Sequence, residues 1–285
     1  MRLADHQVTT DEVRRWRGVH LLHFQGSSCS QKVRILLAEK GIAWTSHPVN
    51  LTRHENTRPW FLGINPRGVV PVLVHDGAVH VESNDLLEYI DQHLPSPAPS
   101  YLPRTDDERD QLRRSLALED ELHGALRTVT MGILVPRAAA RKPPRTLEAF
   151  ARGGAPDAQR DAQVAWWRAF ARDGVTRDQL LAAYRAFAAA FGALDAQLRQ
   201  RPWLIGDRIS LLEIAWFISI HRLVLAGYPL ARHPRVQAHY AALLERPAFA
   251  AEVGSSGAVG AVLRGYALYR RLSGTTLAAL AAEGA

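Results

Sequence analysis

The sequence predicts two domains, a small α/β domain with a mixed sheet and an all-helical domain. Two observations support this division. Short apolar runs typical of strands occur only in the first third of the chain, where they alternate with helical patterns. A proline-rich segment, PSPAPSYLP (95–103), then precedes a long stretch without strand patterns. We therefore expect an α/β domain at 19–95, a linker at 96–106 and a helical domain at 107–250.

The first domain contains alternating strand and helix signals. In chain order they are a buried strand at 20–24, a helix at 27–40, a strand at 44–49, a short helix or turn at 58–64, strands at 71–75 and 78–81, and a helix at 83–94. Asp76-Gly77 is a two-residue hairpin signal between the last two strands. The order β-α-β-α-β-β-α is the thioredoxin topology.

Helical patterns dominate the remainder of the chain. They cover 107–131, 161–172, 176–200, 210–226 and 233–245, with a loop-rich interruption at 136–160. At the ends, residues 1–18 are polar and lack a clear partner, so we expect an N-terminal arm. Residues 251–285 are assigned to a C-terminal tail.

Composition excludes several function classes. The formal net charge is +7, but only three of the 35 basic residues are lysines and the arginines are scattered along helical faces, so nucleic-acid binding is not predicted. The N-terminus has no secretory h-region, and charges interrupt the most apolar stretch, 209–231, which indicates a buried helix rather than a membrane span. One cysteine excludes an intramolecular disulfide. We expect a cytoplasmic protein without a membrane partner or a metal.

Four small polar residues, Ser27, Ser28, Cys29 and Ser30, stand where the first strand turns into a helix. A helix N-terminus offers unpaired N–H groups and a partial positive charge, both of which stabilise a thiolate. A hydroxyl there donates a further hydrogen bond and lowers the thiol pKa. Either Cys29 is the reactive sulfur, or the serines activate a thiol that belongs to a ligand.

Two further pairs suggest that the ligand resembles a peptide. Val70-Pro71 begins a strand, and a cis bond there exposes the backbone of Val70 to an antiparallel peptide. Glu82-Ser83 follows the fourth strand and opens a helix, where the hydroxyl and the helix N-terminus hold a carboxylate and Glu82 pairs with an ammonium. Together these groups recognise an α-amino-acid end.

The chain resembles the glutathione transferase superfamily over roughly residues 20–250. The resemblance is carried by SSCSQKVRILLAEKGI (27–42), FLGINPRGVVPVLVHDG (61–77), VESNDLLEYID (81–91), GDRISLLEIA (206–215) and HPRVQAHYAALLERPAF (233–249). In the fourth motif, Ser210 and Glu213 have capping-box spacing. The resemblance implies a thioredoxin-like domain that binds glutathione and a helical domain that holds a hydrophobic co-substrate.

The resemblance also implies roles for individual residues. The SSC motif is similar to the zeta class, in which Ser27 activates the thiol and Cys29 lines the site. The helical domain is similar to bacterial etherase-type relatives, by which Ser30 faces the thiol instead. The glutathione-binding residues it implies are Ser28, Asn56, Val70, Pro71, Glu82 and Ser83. Two positions depart from the family: Asn56 stands where His or Gln holds the glycyl carboxylate, and Val69 replaces a long polar residue. His54 and Arg53 are the candidates to replace that contact.

The implied activity is attack by the glutathione thiolate on an electrophilic, aromatic carbon, with aryl ether cleavage or dehalogenation as specific candidates. Two alternatives remain: a non-catalytic binding or assembly module, and a monothiol thioltransferase that uses Cys29. A homodimer is expected from the resemblance. His123 and Arg127 share a helix face and are weighed as substrate contacts against surface residues, which are favoured. The basic segment Arg137, Arg141, Lys142 and Arg145 is expected to be solvated.

Overall fold

The computed structural model describes residues 1–254 and 258–282, and it confirms the predicted fold class. The N-terminal domain has a four-stranded sheet in the order β2-β1-β3-β4. Its elements are β1 (Val19–His23), α1 (Ser28–Glu39), β2 (Thr45–Pro48), α2 (Pro59–Leu62), β3 (Val72–His75), β4 (Ala78–His80) and α3 (Ser83–His93). β1 and β2 are parallel, whereas β3 runs antiparallel to both β1 and β4.

The strand register brings four connecting segments to one end of the sheet. Leu22, near the end of β1, pairs with Val72 at the start of β3, and Leu73 pairs with His80 at the end of β4. The last residues of β1 and β2 also pair, His23 with Pro48. Consequently the segments that follow β1, β2 and β4, and the one that precedes β3, all leave the sheet at the same end.

The N-terminal segment 1–18 is packed against the first domain, so the expectation of an arm without a partner was wrong. Leu3 and Val13 are buried in a cluster with apolar residues of the sheet. The Leu3 backbone N–H donates to the Val79 carbonyl, and Arg2 forms a β-bridge with His80. The segment therefore covers the outer edge of β4, which would otherwise present unpaired backbone groups.

The second domain is helical throughout. Its helices are α4 (Asp106–Glu121), α5 (His123–Val129), α6 (Arg137–Ala140), α7 (Pro144–Arg152), α8 (Ala158–Asp173), α9 (Arg177–Leu198), α10 (Leu211–Leu225), α11 (Pro234–Leu244), α12 (Pro247–Gly254), α13 (Ala258–Leu272) and α14 (Leu277–Ala282), with a π-helical turn at Thr130–Leu134. The predicted capping box at the start of α10 is present: the Ser210 hydroxyl accepts from the Leu212 N–H and Glu213 accepts from the Ser210 N–H.

Two sequence-based expectations for this domain need correction. The interruption at 136–160 contains α7, which is strongly amphipathic and buries Leu147 and Phe150. The expected C-terminal tail is also helical over most of its described residues. Leu263 and Leu277 are buried in the main core, so α13 and α14 pack against the rest of the helical domain. The sequence did not indicate this packing, because this segment lies beyond the last recognised motif. Residues 255–257 and 283–285 of that tail lie outside the described residues.

The main core spans both domains. α10 is buried almost completely, and its Trp216 and Phe217 contribute to a cluster that also includes Leu36 of α1 and Leu86 of α3. Within 1–254 and 258–282, no helix combines the length and the apolarity needed to cross a bilayer. Apolar residues of both domains are buried together in this cluster, and their burial holds α1 against the helical domain.

α7 also joins the two domains, through a contact with a glycine turn. Gly68 has φ of +65°, and a Cβ on it would lie 2.4 Å from the Phe150 ring. Only glycine fits both this backbone conformation and this contact. Phe150 belongs to a small apolar cluster with Leu62 and Val164, so α7 and α8 lie over the loop that leads to β3.

Candidate functional site

The N-terminus of α1 holds the four predicted small polar residues, in two different environments. Ser27 is the N-cap, and its hydroxyl accepts the Ser30 backbone N–H at 3.3 Å. Ser27, Ser28 and Cys29 are partly exposed. Ser30 is fully buried, and its hydroxyl accepts from the Phe24 N–H at 3.4 Å. The geometry therefore offers Ser27 and Cys29 to a ligand, and Ser30 faces the domain interior.

Cys29 is paired with a histidine of the helical domain. Its Sγ lies 3.5 Å from Nε2 of His123, and Nδ1 of His123 lies 3.5 Å from a carboxylate oxygen of Asp120. Burial raises the pKa of Cys29, but the charge and hydrogen bond of His123, aided by Lys32, outweigh it and lower the pKa to about 7. The thiolate in turn raises the pKa of His123 against the effect of burial. The favoured reading of His123 as a surface residue was therefore wrong.

A buried ion pair lies directly behind this cysteine. The Lys32 ammonium is 2.5 Å from Oε2 of Glu119, and both side chains are almost completely inaccessible. Asn84 contacts both members of the pair, and Ser219 donates to Oε1 of Glu119 at 2.9 Å. Burial raises the pKa of Glu119, but Lys32 and His123 lower it overall. The pair links α1, α3, α4 and α10 below the candidate site.

Glu119, Asp120 and His123 each place one potential ligand atom within 4.8 Å of the others. The Lys32 ammonium already neutralises Glu119, and Nε2 of His123 faces the Cys29 sulfur. A metal ion there would lie beside a fixed positive charge, which opposes cation binding. We therefore interpret the group as an ion-pair network.

The peptide-like ligand elements also take the predicted form. The Val70–Pro71 bond is cis, as predicted from the strand start together with the family resemblance. Glu82 has φ of +68° and precedes Ser83, the first residue of α3. The Glu82 carboxylate accepts a hydrogen bond from Arg67, which also pairs with Asp157 of the helical domain at 3.4 Å. The ion pair with Arg67 therefore fixes the Glu82 carboxylate, while 43% of the Glu82 side chain remains exposed.

Asn56 lies at the other side of the same end of the sheet. Its Nδ2 donates to the Gly68 carbonyl at 2.6 Å, and its Oδ1 is buried without a hydrogen-bond partner. Beside it, Nδ1 of His54 lies 3.4 Å from the Lys142 ammonium, which also stands 4.5 Å above the Trp167 ring. Lys142 is 4% exposed, so the expectation that the whole basic segment is solvated was wrong for this residue.

A buried arginine of α10 contacts the loop that precedes α1. Arg222 is fully buried and donates to the Gly26 carbonyl and to Gln31, both at 2.7 Å, so α10 braces the loop before Ser27. Burial lowers the pKa of Arg222 to about 10.

Two further features lie within the helical domain. On α5, Arg127 lies 4.2 Å over the Trp166 ring and donates to Gln163 at 2.6 Å. A separate cavity of about 450 Å³ lies entirely within the helical domain, lined by residues that include Tyr228, Tyr240 and Arg271.

The sequence analysis did not predict that the three lysines are buried. All three are buried in a chain whose other basic residues are arginines: Lys32, Lys40 and Lys142 are 0%, 3% and 4% exposed. The residue type gave no signal for this, because an ammonium is strongly hydrated and arginine is the more usual cation in buried ion pairs. Their partners, which come from distant segments of the chain, were not predictable from local patterns.

Comparison with known families agrees with this geometry. The family model described as "Glutathione S-transferase, N-terminal domain" matches residues 26–93, and that described as "Glutathione S-transferase, C-terminal domain" matches residues 145–242. Together they cover more than half of the chain. The chain therefore belongs to the glutathione S-transferase superfamily, and it is a glutathione transferase.

Two relatives differ in how much of this chain they match. Protein LigF of Sphingobium sp. strain SYK-6 is 27% identical over 208 residues, 73% of this chain and 79% of LigF. The crystal structure of beta-etherase LigF superposes with a TM-score of 0.72 at 25% identity, covering 84% of this chain and 99% of LigF. Maleylacetoacetate isomerase of Pseudomonas aeruginosa is 41% identical over 81 residues, 27% of this chain, and the match spans only 38% of that protein.

Proposed function

We propose that this chain binds glutathione at the end of the sheet where α1 and α3 begin, and that Ser27 activates its thiol. The observation that carries the proposal is the common location of three elements: the Ser27 end of α1, cis-Pro71 and Glu82-Ser83. Strand register brings all three to one end of the sheet. They match the thiol, the peptide backbone and the α-amino-acid end of γ-glutamyl-cysteinyl-glycine.

The thiolate then attacks an electrophilic carbon of an aromatic co-substrate. A C–S bond forms, and the bond to the leaving group breaks. A phenolate departs with the electron pair from an aryl ether, or a halide departs from an aryl halide. The enzyme contributes a stabilised thiolate and proximity of the two substrates. The structural similarity to beta-etherase LigF, which covers 84% of this chain, favours the ether.

A direct test is glutathione titration by calorimetry, followed by incubation with matched aryl ethers and aryl halides. Mass spectrometry would detect the glutathione conjugate. The phenol or halide released would be quantified, and its amount should equal that of the conjugate. Cleavage of the ether with stoichiometric conjugate supports the proposal. Absence of glutathione binding contradicts it and favours the binding-module alternative.

The Cys29–His123 contact favours a second candidate, monothiol exchange. Here the Cys29 thiolate attacks the glutathione sulfur of a mixed disulfide, forming Cys29–S–SG and releasing the other thiol. A second glutathione thiolate then attacks that disulfide, releasing oxidised glutathione and restoring the Cys29 thiolate. His123, oriented by Asp120, would supply the charge that stabilises the thiolate. Reduction of a model mixed disulfide that is lost in Cys29→Ala would support this candidate.

A further inference from the structure

The cavity of about 450 Å³ in the helical domain lies at the C-terminal end of α10. Its described lining residues all fall between positions 224 and 276, so they include no residue of the first domain and none of the residues assigned to glutathione. The volume is within the range of about 300–1,000 Å³ that is typical of small-molecule sites. A ligand in this cavity would therefore bind separately from the tripeptide.

The last two helices close one side of this cavity. The Leu277 N–H donates to the Ala226 carbonyl at 3.0 Å, which fixes the first residue of α14 to the end of α10. Gly227 has φ of +82°, and a Cβ on it would lie 2.6 Å from Thr276, so only glycine allows this close approach. Arg271 and Thr276 line the cavity, and both lie beyond residue 242, where the match to the family model ends. This wall therefore comes from a segment that the family model does not include.

Most of the lining is apolar or aromatic. Val224 and Leu230 line the cavity together with Tyr228 and Tyr240. The hydroxyl of each tyrosine is already paired with a histidine nitrogen, at 2.8 Å for Tyr228 and 2.7 Å for Tyr240. Burial raises the pKa of both phenols to about 12, so both are neutral. Because their hydroxyls are paired, the two tyrosines offer mainly their rings, which favour contact with another aromatic ring.

Arg271 gives one side of the cavity a positive charge. Its Nη2 donates to the Val224 carbonyl at 3.4 Å, and the residue is exposed. Within the part of the chain that the structure describes, no carboxylate pairs with Arg271, and none of the residues that line the cavity is acidic. The guanidinium has further N–H donors, and its planar fork matches a carboxylate. Gln237, an exposed lining residue, adds an amide donor.

We propose that this cavity binds an aromatic carboxylate, with its ring against Tyr228 and Tyr240 and its carboxylate on Arg271. The arginine selects an acid over a neutral molecule of the same shape, and the apolar wall selects an aromatic acid over a small inorganic anion. The inference does not depend on the proposed function, because the two sites share no residue. The chain then has two ligand sites, one at the end of the sheet and one in the helical domain.

The test compares 2-naphthoate with its neutral analogue 2-naphthamide, both titrated calorimetrically with and without excess glutathione. Wild type should bind the acid about fivefold more tightly than the amide, the modest preference expected for an exposed ion pair, and glutathione should change neither affinity. Arg271→Met should lose the preference through weaker binding of the acid alone. Arg264→Met, which removes an exposed arginine of α13 outside this cavity, should retain it. Ala231→Phe places a ring in the cavity and should abolish binding of both compounds.

Several outcomes would overturn the proposal. Wild type that does not bind 2-naphthoate, or that binds the amide as tightly, lacks the site. Binding of the acid that folded Arg271→Met or Ala231→Phe leaves unchanged, or that glutathione displaces, takes place elsewhere. Near-ultraviolet circular dichroism checks folding; should Ala231→Phe not fold, the exposed Arg271→Met decides the question, with the amide as its internal control. Absence of glutathione binding would contradict the proposed function alone, because the naphthoate titration does not require it.

Discussion

Cys29 of α1 and His123 of α5 form a sulfur–imidazole contact across the domain boundary, with Sγ 3.5 Å from Nε2. The two residues are 94 positions apart in sequence. The contact gives the chain's only cysteine a pKa near neutrality, although burial by itself would raise that pKa. It also means that ionisation of a residue in the first domain depends on the position of the second.

The first prediction concerns this thiol. Because Cys29 is the only cysteine, its alkylation by iodoacetamide reports its ionisation directly. In wild type the rate should rise with pH through a midpoint near 7. His123→Asn removes the stabilising positive charge, so the midpoint should shift upward, toward or above about 8.5, and the rate at pH 6.5 should fall several-fold. The exposed His6→Asn is the control; an unshifted midpoint in His123→Asn would show that the contact has no electrostatic role.

The second prediction separates the two chemical mechanisms by pH–rate profiles of conjugation. If Ser27 activates the glutathione thiol, Ser27→Ala should lose most turnover at pH 6.5 and recover part of it toward pH 9, where more thiolate forms without assistance. Cys29→Ala should then cost little, because methyl nearly replaces a small thiol.

If Cys29 instead carries a mixed disulfide, the pattern inverts and Cys29→Ala is inactive at every pH. Equal, pH-independent losses in both variants would contradict both mechanisms and direct attention to Ser28 or Ser30. The chain has no second cysteine, so a mixed disulfide at Cys29 would need a second glutathione to resolve it. We favour the serine mechanism, which needs no such step.

A third prediction addresses the buried ion pair. Lys32→Met leaves Glu119 as an unpaired buried carboxylate, so the free energy of unfolding should fall by about 3–5 kcal/mol in urea denaturation. The double variant Lys32→Met/Glu119→Leu removes both charges and should recover a large part of that loss. A single variant as stable as wild type would mean that the pair does not exist in solution.

The fourth prediction tests the amino-acid end of the ligand. Glu82→Gln keeps the shape but removes the charge that we assign to the ligand ammonium, a contact of about 1.5–3 kcal/mol, so glutathione affinity should fall about tenfold or more. Asp85→Asn, an exposed acid three positions along α3, is the matched control. Equal affinities for the two variants, measured by calorimetry, would remove Glu82 from the site.

The fifth prediction is a two-fold homodimer, which the family resemblance suggests. Trp60 and Leu118 are large apolar side chains, each 44% exposed in the single chain, and apolar surface of this kind is available for burial. Sedimentation velocity at micromolar concentration should give about twice the chain mass. A stable species of 31.6 kDa would be the opposite result.

Sequence patterns predicted the elements that depend on local chemistry. The Asp76-Gly77 hairpin, the Ser210–Glu213 capping box and the Ser27 N-cap each follow from a few neighbouring residues, and each is present. The cis bond before Pro71 was predicted from a strand start together with family resemblance.

What the sequence did not predict depends on contacts between distant segments. Lys32 meets Glu119 across 87 positions, and Lys142 meets His54 across 88. Nothing in the local pattern of either lysine specifies its partner, because the tertiary packing of α4, α7 and α8 creates the contact. The same holds for His123, whose helical face alone suggested a surface position.

The ring of Phe150 against Gly68 has a consequence for protein engineering. An engineered exchange of the helical domain for that of a homologue would disturb more than the helical domain itself. In this chain such an exchange would remove the Phe150 ring that packs against Gly68, in the loop before Pro71. It would also remove Asp157, which pairs with Arg67. A different helical domain would therefore have to restore both contacts to keep the loop before Pro71 and the Arg67 side chain in their present positions.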